Sequence, residues 1–436
     1  MSSSAFSKFL PYSRRLQRLA LRGSPGKSRK EWSSICNPAL NGEPARTLRQ
    51  QIPLAARRSA GAFFTGSVLA RRLLRKAKLS TRSPIVVIDP TSGAGDLLLA
   101  AARRLPLGKS LQETIQRWSR TLQGLDLQPE FVAAARARLL LLARQRHGVS
   151  HSTEVHWPAA FPLIRAGDAL RDKSLYRHAD FILLNPPFSP TPARAACEWA
   201  SGNVNSAAVF LEHVLNCVLP GTRILAILPE VLRTGTRYAK WRSLISQRAE
   251  RLAIESCGIF DNSADVDVFF LVLKTRPKIC PGASANWLGR NSQPGSTVSD
   301  RFSITVGPVV PYRAPHTGPR RRYVHPRNVP AWKVVRRTAE TRRFDGAVFK
   351  PPFVVIRRTS RPGDKFRAVA AEVHGTKPVA VENHLIVCTP KDGTIKQCRL
   401  LIKALRRQQT NRFLNNHIRC RHLTVRAIEE IPLAKR

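Results

Sequence analysis

A tetrapeptide whose groups could hold a planar amine, Asn185-Pro186-Pro187-Phe188, follows an apolar stretch at residues 181–184 that is typical of a β-strand. Neither proline has an N–H group to donate to a sheet, so we expect the strand to end at Asn185. In open α/β sheets, ligands bind beyond the carboxyl ends of the strands. Asn185 brings a side-chain oxygen, its peptide with Pro186 brings a carbonyl, and Phe188 brings a flat apolar ring. These groups suit a planar base with an exocyclic amine, which needs two acceptors and a surface on which to stack.

A glycine-containing loop lies upstream, between a β-branched run at residues 85–88 and an apolar helical stretch at residues 97–104. The loop begins with Asp89 and contains Gly93 and Gly95. Glycines let the backbone approach a ligand closely, and the start of the following helix presents unpaired N–H groups. The spacing is not that of the dinucleotide fingerprint, because the third glycine is missing. The order of strand, loop and helix predicts a cofactor-binding turn, with a plain β–α turn as the alternative.

Two more acidic residues end predicted strands before the tetrapeptide. Asp126 ends the stretch at residues 122–126, and Asp168 ends a short stretch at residues 163–168. An acid at the tip of the second strand can accept hydrogen bonds from both hydroxyls of a ribose. A single acid is more often a helix cap or a turn residue. Together with Asp89, however, three acids at successive strand tips predict a shared binding site.

These segments resemble a known family of enzymes. The Asn-Pro-Pro-Phe tetrapeptide resembles the catalytic motif of N6-adenine and N4-cytosine DNA methyltransferases, and the loop from Asp89 resembles the S-adenosylmethionine loop of class I methyltransferases. Residues 61–66 are similar to a family segment that closes over the methionine end of this cofactor, with Gly66 in place of the usual proline. The order of the motifs resembles that of the gamma-type adenine methyltransferases. The resemblance covers residues 59–275.

The resemblance implies an α/β fold: a class I (Rossmann-like) methyltransferase sheet with helices on both faces. It implies S-adenosylmethionine as the cofactor and methyl transfer to the N6 amine of an adenine flipped out of duplex DNA. Asp89 would support the methionine end of the cofactor, Asp126 its ribose and Asp168 its adenine amine. The other implied contacts are Phe64, Thr65, Gly93 and Gly95 for the cofactor and Asn185, Pro186, Pro187 and Phe188 for the target base. No metal ion is expected.

The net charge points to the partner. The chain has 436 residues, enough for two domains, and its 73 Lys and Arg against 28 Asp and Glu give a formal net charge of +45. Such a charge predicts a polyanionic partner and salt-sensitive binding. A membrane surface also attracts positive charge, but no amphipathic anchor or apolar run of spanning length accompanies it. We therefore expect double-stranded DNA as the partner and no membrane, with a separate restriction or specificity subunit as a further candidate.

The composition divides the chain into four segments. We expect residues 1–58 to be a disordered basic arm that follows DNA, although their composition is also typical of a transit peptide. Residues 59–275 form the predicted methyltransferase domain, and residues 276–345, rich in Pro, Gly and Arg, the predicted linker. Residues 346–436 show strand-like stretches and a predicted helix, and they resemble the target-recognition region of single-chain adenine methyltransferases. A structural extension without base contacts stays open for this smaller α+β region.

Functional alternatives also stay open. The same tetrapeptide serves enzymes that methylate N4 of cytosine, an RNA base or the glutamine of a release factor, and a catalytically silent DNA-binding module could keep the fold. The resemblance favours a site-specific adenine methyltransferase from a restriction–modification or phage-defence system, acting in the bacterial cytoplasm at the nucleoid. The eight cysteines lack paired short spacings. His417, Cys420 and His422 lack a fourth ligand at a suitable spacing, so no zinc site is indicated.

Overall fold

The computed structural model describes the chain except for residues 1–2, 78, 80–83, 149–154, 156, 158–159, 194–196, 261–265, 289–295, 420 and 434–436. It divides into two compact units, Met1–Ala285 and Asn286–Arg436. Each unit has hydrophobic clusters of its own.

The first unit contains one large sheet and most of the helices. Its helices are α1 (Ser3–Phe6), α2 (Leu10–Arg22), α3 (Arg29–Leu40), α4 (Glu43–Gln51), α5 (Leu54–Ala60), α6 (Ser67–Leu74), α7 (Asp96–Ala102), α8 (Leu111–Thr121), α9 (Pro129–His147), α10 (Ser206–Cys217), α11 (Glu230–Thr234) and α12 (Ala239–Arg248). Its strands are β1 (Val87–Asp89), β2 (Leu122–Asp126), β3 (Ile164–Ala166), β4 (Phe181–Leu184), β5 (Pro190–Pro192), β6 (Asn203–Asn205), β7 (Arg223–Pro229), β8 (Ala249–Ile259) and β9 (Asp267–Thr275). Seven of these strands form a sheet in the order β3-β2-β1-β4-β7-β9-β8, and β5 pairs with β6 separately.

The strand order of the large sheet creates a ligand position between β1 and β4. β3, β2, β1, β4 and β7 are parallel, whereas β9 is antiparallel to both β7 and β8. The chain runs from β1 outward to β2 and β3, and then returns to β4 on the other side of β1. Ligands of α/β sheets bind where the strand order reverses in this way. All four residues of β4 are buried, and the strand ends at Leu184, so Asn185 lies at its carboxyl end as predicted.

The α/β architecture is thus confirmed, and β8 and β9 form a hairpin at one edge of the sheet. The polar run at residues 261–263 predicts the turn between these two strands, and it lies outside the described residues.

The N-terminal segment is helical, and our expectation of a disordered arm is wrong. α2 and α3 pack against α9. Tyr12, Leu16 and Ala20 are buried along α2, and Trp32 is buried on α3. Apolar residues that recur at this interval form one buried face of a helix. Four arginines, Arg14, Arg15, Arg18 and Arg22, occupy other positions of α2, and such residues dominated the composition from which we inferred an arm.

The second unit contains two smaller sheets. Its helices are α13 (Val298–Arg301), α14 (Ile395–Leu405), α15 (Gln408–His417) and α16 (Val425–Glu429). Its strands are β10 (Phe302–Val306), β11 (Arg320–Val324), β12 (Val334–Val335), β13 (Thr341–Arg343), β14 (Phe353–Arg357), β15 (Ala370–Val373), β16 (Val379–Val381) and β17 (Leu385–Pro390). One sheet has the order β10-β17-β14-β15-β12, and the other has the order β13-β11-β16.

The predicted linker, residues 276–345, is for the most part structured within this second unit. β10 pairs with β17, β12 pairs with β15, and β11 pairs with β16. Strands from the predicted linker and from residues 346–436 therefore share both sheets. Composition could not reveal this, because each strand finds its partner far along the chain. The helix that we predicted within residues 346–436 is present as α14.

Candidate functional site

A cavity of about 420 Å³ lies at the carboxyl ends of β1, β2 and β4. Parts of α1 and α5 also contribute to its wall. The predicted site residues that line the cavity are Phe64, Thr65, Asp89, Gly93, Asp126, Asp168, Asn185 and Pro187. Gly95, Pro186 and Phe188 are not among the lining residues. The fold thus brings together acids and an amide that come from separate strands.

The cavity is acidic although the protein as a whole is strongly basic. None of the described residues that line it is Lys, Arg or His, and its acids are Asp89, Asp96, Asp126 and Asp168. Burial raises the pKa of Asp89 to about 8, and the carboxylates of Asp126 and Asp96 act in the same direction. Burial also raises the pKa of Asp126 to about 6, against hydrogen bonds from backbone N–H groups. A cation in the cavity would favour the ionised form of each carboxyl group, so the cavity suits a positively charged ligand.

Asp126 holds the glycine-containing loop in place. Its carboxylate accepts two hydrogen bonds from backbone N–H groups. The N···O distance is 2.9 Å for Gly93 and 2.8 Å for Gln128. Each bond uses a different oxygen, so each oxygen keeps a further lone pair. Asp168 accepts a hydrogen bond from the N–H of Leu170 over 2.9 Å. Its side chain is 37% exposed, so it forms the more open side of the cavity.

The side-chain amide of Asn185 is satisfied at one end only. Its Nδ2 donates a hydrogen bond to Thr65 Oγ1 over 2.9 Å and a longer one, of 3.5 Å, to the carbonyl of Phe63. Its Oδ1 is buried and has no hydrogen-bond partner among the described residues. Buried polar atoms without a partner are uncommon in folded proteins. An orphaned acceptor beside a cavity indicates a ligand that supplies the missing donor.

The start of α10 holds the loop that follows Asn185. The Nδ2 of Asn205 donates a hydrogen bond to the carbonyl of Phe188 over 2.9 Å, and Ser206 Oγ donates one to the carbonyl of Pro187 over 2.5 Å. Asn205 also caps α10, because its Oδ1 accepts a hydrogen bond from the helix backbone. Our sequence analysis missed both residues. The available signal was a polar pair at the start of an apolar helix, which is typical of an N-cap.

A second aromatic ring lies beside the tetrapeptide. Phe188 is partly buried, and its ring lies edge-on to that of Phe260, with 5.7 Å between centroids and an interplanar angle of 70°. Phe260 follows β8, which is at the far end of the strand order. Sequence analysis missed Phe260, because nothing local links it to Phe188.

Gly66 stands where the family segment that residues 61–66 resemble has proline, and its surroundings favour glycine. Its φ of 73° is one that proline cannot adopt. Its N–H donates a hydrogen bond to Asp96 Oδ2 over 2.7 Å, and proline has no N–H to donate. Asp96 in turn accepts a hydrogen bond from Arg138 of α9 over 2.8 Å, and both side chains are buried. Arg138 also donates to the carbonyls of Ala39 and Ala94, so it connects α3, the glycine-containing loop and, through Asp96, Gly66.

Arg138 was missed in the sequence, although a signal existed. The helix around it is apolar on all sides, and it reads as a buried helix. A charged residue at a buried position needs a partner.

Two glycines permit close packing around the site. A Cβ atom on Gly61 would lie 2.1 Å from the Cβ of Pro187, so this glycine lets residues 61–66 touch the loop that follows Asn185. A Cβ on Gly95 would lie 2.9 Å from the Cβ of Ala135. Gly95 therefore serves the packing of α7 against α9, and it is not in contact with the cavity.

Neither a metal centre nor a membrane span is found in the described part of the chain. No group of three or more His, Cys, Asp or Glu side chains there could hold a metal ion. No helix there is both long enough and apolar enough to cross a bilayer. Two residues of the His/Cys cluster that we singled out can be followed up. The side chain of His417 hydrogen-bonds to that of Glu430 at a distance of 2.9 Å, and Cys420 lies outside the described residues.

Comparison with known proteins identifies a family and several similar structures. The sequence model of the family described as N-6 DNA Methylase matches residues 48–272, just over half of the chain. No curated protein matches. Among solved structures, the Type IIL restriction-modification enzyme MmeI in complex with DNA is similar over 89% of this chain and 70% of that chain, with 12% identity and a TM-score of 0.53. This likeness shows a shared fold.

Two type I proteins are also similar. The M protein of the type I restriction enzyme EcoKI is 18% identical over 65% of this chain and 62% of that chain, with a TM-score of 0.38. The methyltransferase subunit of a type I restriction-modification system from Streptococcus thermophilus is 17% identical over 49% of this chain and 45% of that chain, with a TM-score of 0.35. The similarity thus spans less than two thirds of either relative.

Proposed function

Because this chain belongs to the N-6 DNA methylase family, we propose that it is a site-specific DNA methyltransferase. It transfers the methyl group of S-adenosylmethionine to the N6 amine of an adenine in duplex DNA. The observation that carries this proposal is the buried Oδ1 of Asn185, which lacks a hydrogen-bond donor and belongs to a residue that lines the cavity. The exocyclic amine of adenine is a donor of the kind that this atom needs.

The family implies S-adenosylmethionine as the methyl donor, and the cavity fits that cofactor in charge and in size. The cofactor carries a sulfonium cation, and the described lining includes four aspartates and no basic residue. A cavity of about 420 Å³ is within the range of small-molecule sites. Asp126 would accept hydrogen bonds from the ribose, Asp168 from the adenine amine, and Asp89 would support the loop and the methionine end. When bound, the cofactor supplies an electrophilic methyl group.

The chain's own residues orient the target amine. Asn185 Oδ1 accepts one N–H of the amine, while Thr65 keeps the amide turned so that its oxygen is available. A backbone carbonyl beside Pro186 accepts the second N–H, since the carbonyls of Pro187 and Phe188 are already held from the start of α10. These two bonds localise the nitrogen lone pair that is otherwise delocalised into the ring. Acceptors that are in place beforehand need no reorganisation during the reaction.

The target base must leave the duplex before these groups can reach it. Phe188 then stacks on the flipped base, and the edge contact with Phe260 supports the ring of Phe188. The second unit, Asn286–Arg436, is our candidate for reading the recognition sequence. Such an enzyme would act at the bacterial nucleoid, with a separate restriction or specificity subunit as a partner.

The test is methyl transfer from radiolabelled S-adenosylmethionine to duplex DNA, to RNA and to a glutamine-containing protein, followed by long-read mapping of the DNA product. We expect N6-methyladenine within a fixed sequence. Asn185→Ala should abolish transfer and leave cofactor affinity nearly unchanged, because Asn185 contacts the base.

The matched control is Asn41→Ala, which removes an exposed amide at the end of α3 and should transfer methyl groups like the parent protein. Transfer only to cytosine, RNA or protein would contradict the proposed substrate. Loss of cofactor binding by folded Asn185→Ala would contradict the role of Asn185. No transfer and no cofactor binding in the parent protein would instead support the silent DNA-binding module.

A further inference from the structure

Strands β11 and β13 of the second unit place arginines directly opposite one another. Their antiparallel register pairs Arg320 with Arg343 and Arg321 with Arg342. The Cβ atoms of opposed residues in such a pair lie roughly 4.5–5.5 Å apart, and like charges at this distance destabilise the pairing. Two successive pairs of this kind would be stabilised by nearby negative charge.

The protein supplies little of that charge. Arg342 is buried, and its Nη2 donates a hydrogen bond to the carbonyl of Ala314 over 2.6 Å. Arg320 and Arg343 are exposed. Arg320 Nε donates to the hydroxyl of Thr341 over 2.7 Å, which is a neutral partner. Among the described residues, no carboxylate forms an ion pair with Arg320 or Arg343.

A neighbouring segment of the same protein extends this positive surface. Arg322, two positions along β11 from Arg320, projects to the same face of the strand. Its guanidinium donates hydrogen bonds to the carbonyls of Val335 and His374, each at a distance of 2.7 Å. The bond to Val335 places the end of β12 beside the Arg322 side chain. Two exposed arginines follow Val335 immediately. The arginine patch is the resulting set of exposed residues, Arg320, Arg336, Arg337 and Arg343.

We propose that the arginine patch binds the phosphate backbone of duplex DNA and holds the duplex without regard to its sequence. The proposal rests on the proposed function in taking duplex DNA as the partner. Guanidinium groups match phosphate oxygens in geometry and charge, and phosphates would neutralise the opposed pair Arg320 and Arg343. Phosphate contacts position a protein on DNA, and base contacts elsewhere give specificity. The patch lies within residues 276–345, the segment whose composition suggested only a linker.

The first experiment measures binding of the full chain to a random-sequence duplex by fluorescence anisotropy at several salt concentrations. Each lost phosphate contact lowers the slope of log affinity against log salt by about 0.9. We expect a loss of about 0.9 for Arg343→Ala and about 1.8 for the double variant Arg320→Ala/Arg343→Ala. The matched control is Arg399→Ala/Arg412→Ala, which removes two exposed arginines on α14 and α15 of the same unit and should keep the parent slope.

Arg343→Glu separates loss of binding from loss of fold. It places a carboxylate opposite Arg320, so the thermal unfolding midpoint should stay equal or rise while DNA affinity falls further than in Arg343→Ala. A lowered midpoint in Arg343→Glu, with parent-like DNA affinity at matched salt, would overturn the proposal. An unchanged salt slope in the double alanine variant, or an equal loss in the control, would also overturn it. Stronger patch-dependent binding of single-stranded RNA than of duplex DNA would overturn the choice of partner.

Methyl transfer is measured separately on the same preparations. A parent protein that binds duplex DNA through the patch but transfers no methyl group would contradict the proposed function and support the patch. A parent that methylates DNA while the patch variants keep the parent salt slope would contradict the patch alone.

Discussion

The side-chain amide of Asn185 donates a hydrogen bond to the hydroxyl of Thr65, a residue 120 positions earlier, over 2.9 Å. This bond occupies the N–H end of the amide and leaves Oδ1 without a partner among the described residues. An amide turned the other way would present a donor to the donor groups of an amine. Thr65 therefore decides which end of the Asn185 amide is free to accept a hydrogen bond from a ligand.

Thr65→Val removes the hydroxyl and keeps the shape of the side chain. A typical hydrogen bond contributes about 0.5–1.5 kcal/mol, so we expect kcat for methyl transfer to fall roughly 2- to 10-fold. Thr65→Ser keeps the oxygen and should restore most of the rate. Steady-state kinetics with a separate measurement of cofactor affinity check this, because Thr65 also lines the cavity. Equal losses in both variants would show that the hydroxyl does not orient Asn185.

Phe188→Ala removes the ring that we expect to stack on the flipped base. Base stacking on an aromatic side chain contributes about 1–3 kcal/mol, so methyl transfer should fall by about one to two orders of magnitude. Phe188→Tyr and Phe188→Trp keep a flat ring and should stay active. The measurement is single-turnover transfer at saturating cofactor. If Phe188→Ala transfers at the parent rate, Phe188 only packs against Phe260.

Gly61→Ala tests the contact between residues 61–66 and the loop that follows Asn185. The added Cβ would lie 2.1 Å from that of Pro187, so the loop must move and methyl transfer should fall by more than tenfold. Gly26→Ala is the matched control: Gly26 has a φ of 76°, close to the 63° of Gly61, but its Cβ would meet nothing within 4 Å. Both variants carry the left-handed backbone penalty of about 1–2 kcal/mol. Equal activity of the two, with similar unfolding free energies, would refute a role for this contact.

We expect protonation of Asp126 to raise the stability of the cofactor-free fold and to lower the affinity for the cofactor. Burial raises its pKa to about 6, above the ordinary value of 3.8, so the folded state holds its proton to higher pH than the unfolded state does. As pH falls from about 6 to about 4, this group therefore stabilises the cofactor-free fold. Over the same range, the affinity for S-adenosylmethionine should fall, because the ionised carboxylate is the better acceptor for ribose hydroxyls.

The control for this prediction is Asp126→Asn, which cannot titrate at this position. The difference in unfolding free energy between parent and variant, followed from pH 7 to pH 4, isolates the contribution of Asp126. Cofactor affinity of the variant should be weak and nearly independent of pH in this range. Parallel pH profiles for the parent protein and the variant would refute the assignment of Asp126.

A truncation at the boundary between the two units separates cofactor binding from target reading. A chain of residues 1–285 keeps the whole seven-stranded sheet and all residues that line the cavity, so it should bind S-adenosylmethionine. It should lose sequence-specific methylation, because reading a sequence requires base-edge contacts. Calorimetry with the cofactor on a monodisperse preparation, and binding of cognate and scrambled duplexes, check both parts. Undiminished preference for the cognate duplex would place recognition in the first unit.

A cut at residue 346, which the composition suggested, should give a different result. It removes β17 and β15, the partners of β10 and β12. Unpaired strands expose backbone groups and promote aggregation, so this truncation should be less soluble than residues 1–285.

The sequence by itself determined the features that rest on neighbouring residues. Two prolines had to end the strand before Asn185, because proline has no N–H to donate. The strand–loop–helix order around Gly93, and the acids at the tips of β1 and β2, were also visible from local patterns. The net charge of +45 likewise predicts affinity for a polyanion from the sequence alone.

Only the tertiary structure decided which distant groups meet. The contact of Thr65 with Asn185 joins residues 120 positions apart, and the ion pair of Arg138 with Asp96 joins residues 42 apart. Such contacts depend on how whole elements pack, and the local sequence around each residue carries no record of its partner. The same reason explains the N-terminal helices and the strands within residues 276–345. Their burial depends on surfaces supplied by other parts of the chain, while their composition reports only how many charged residues they contain.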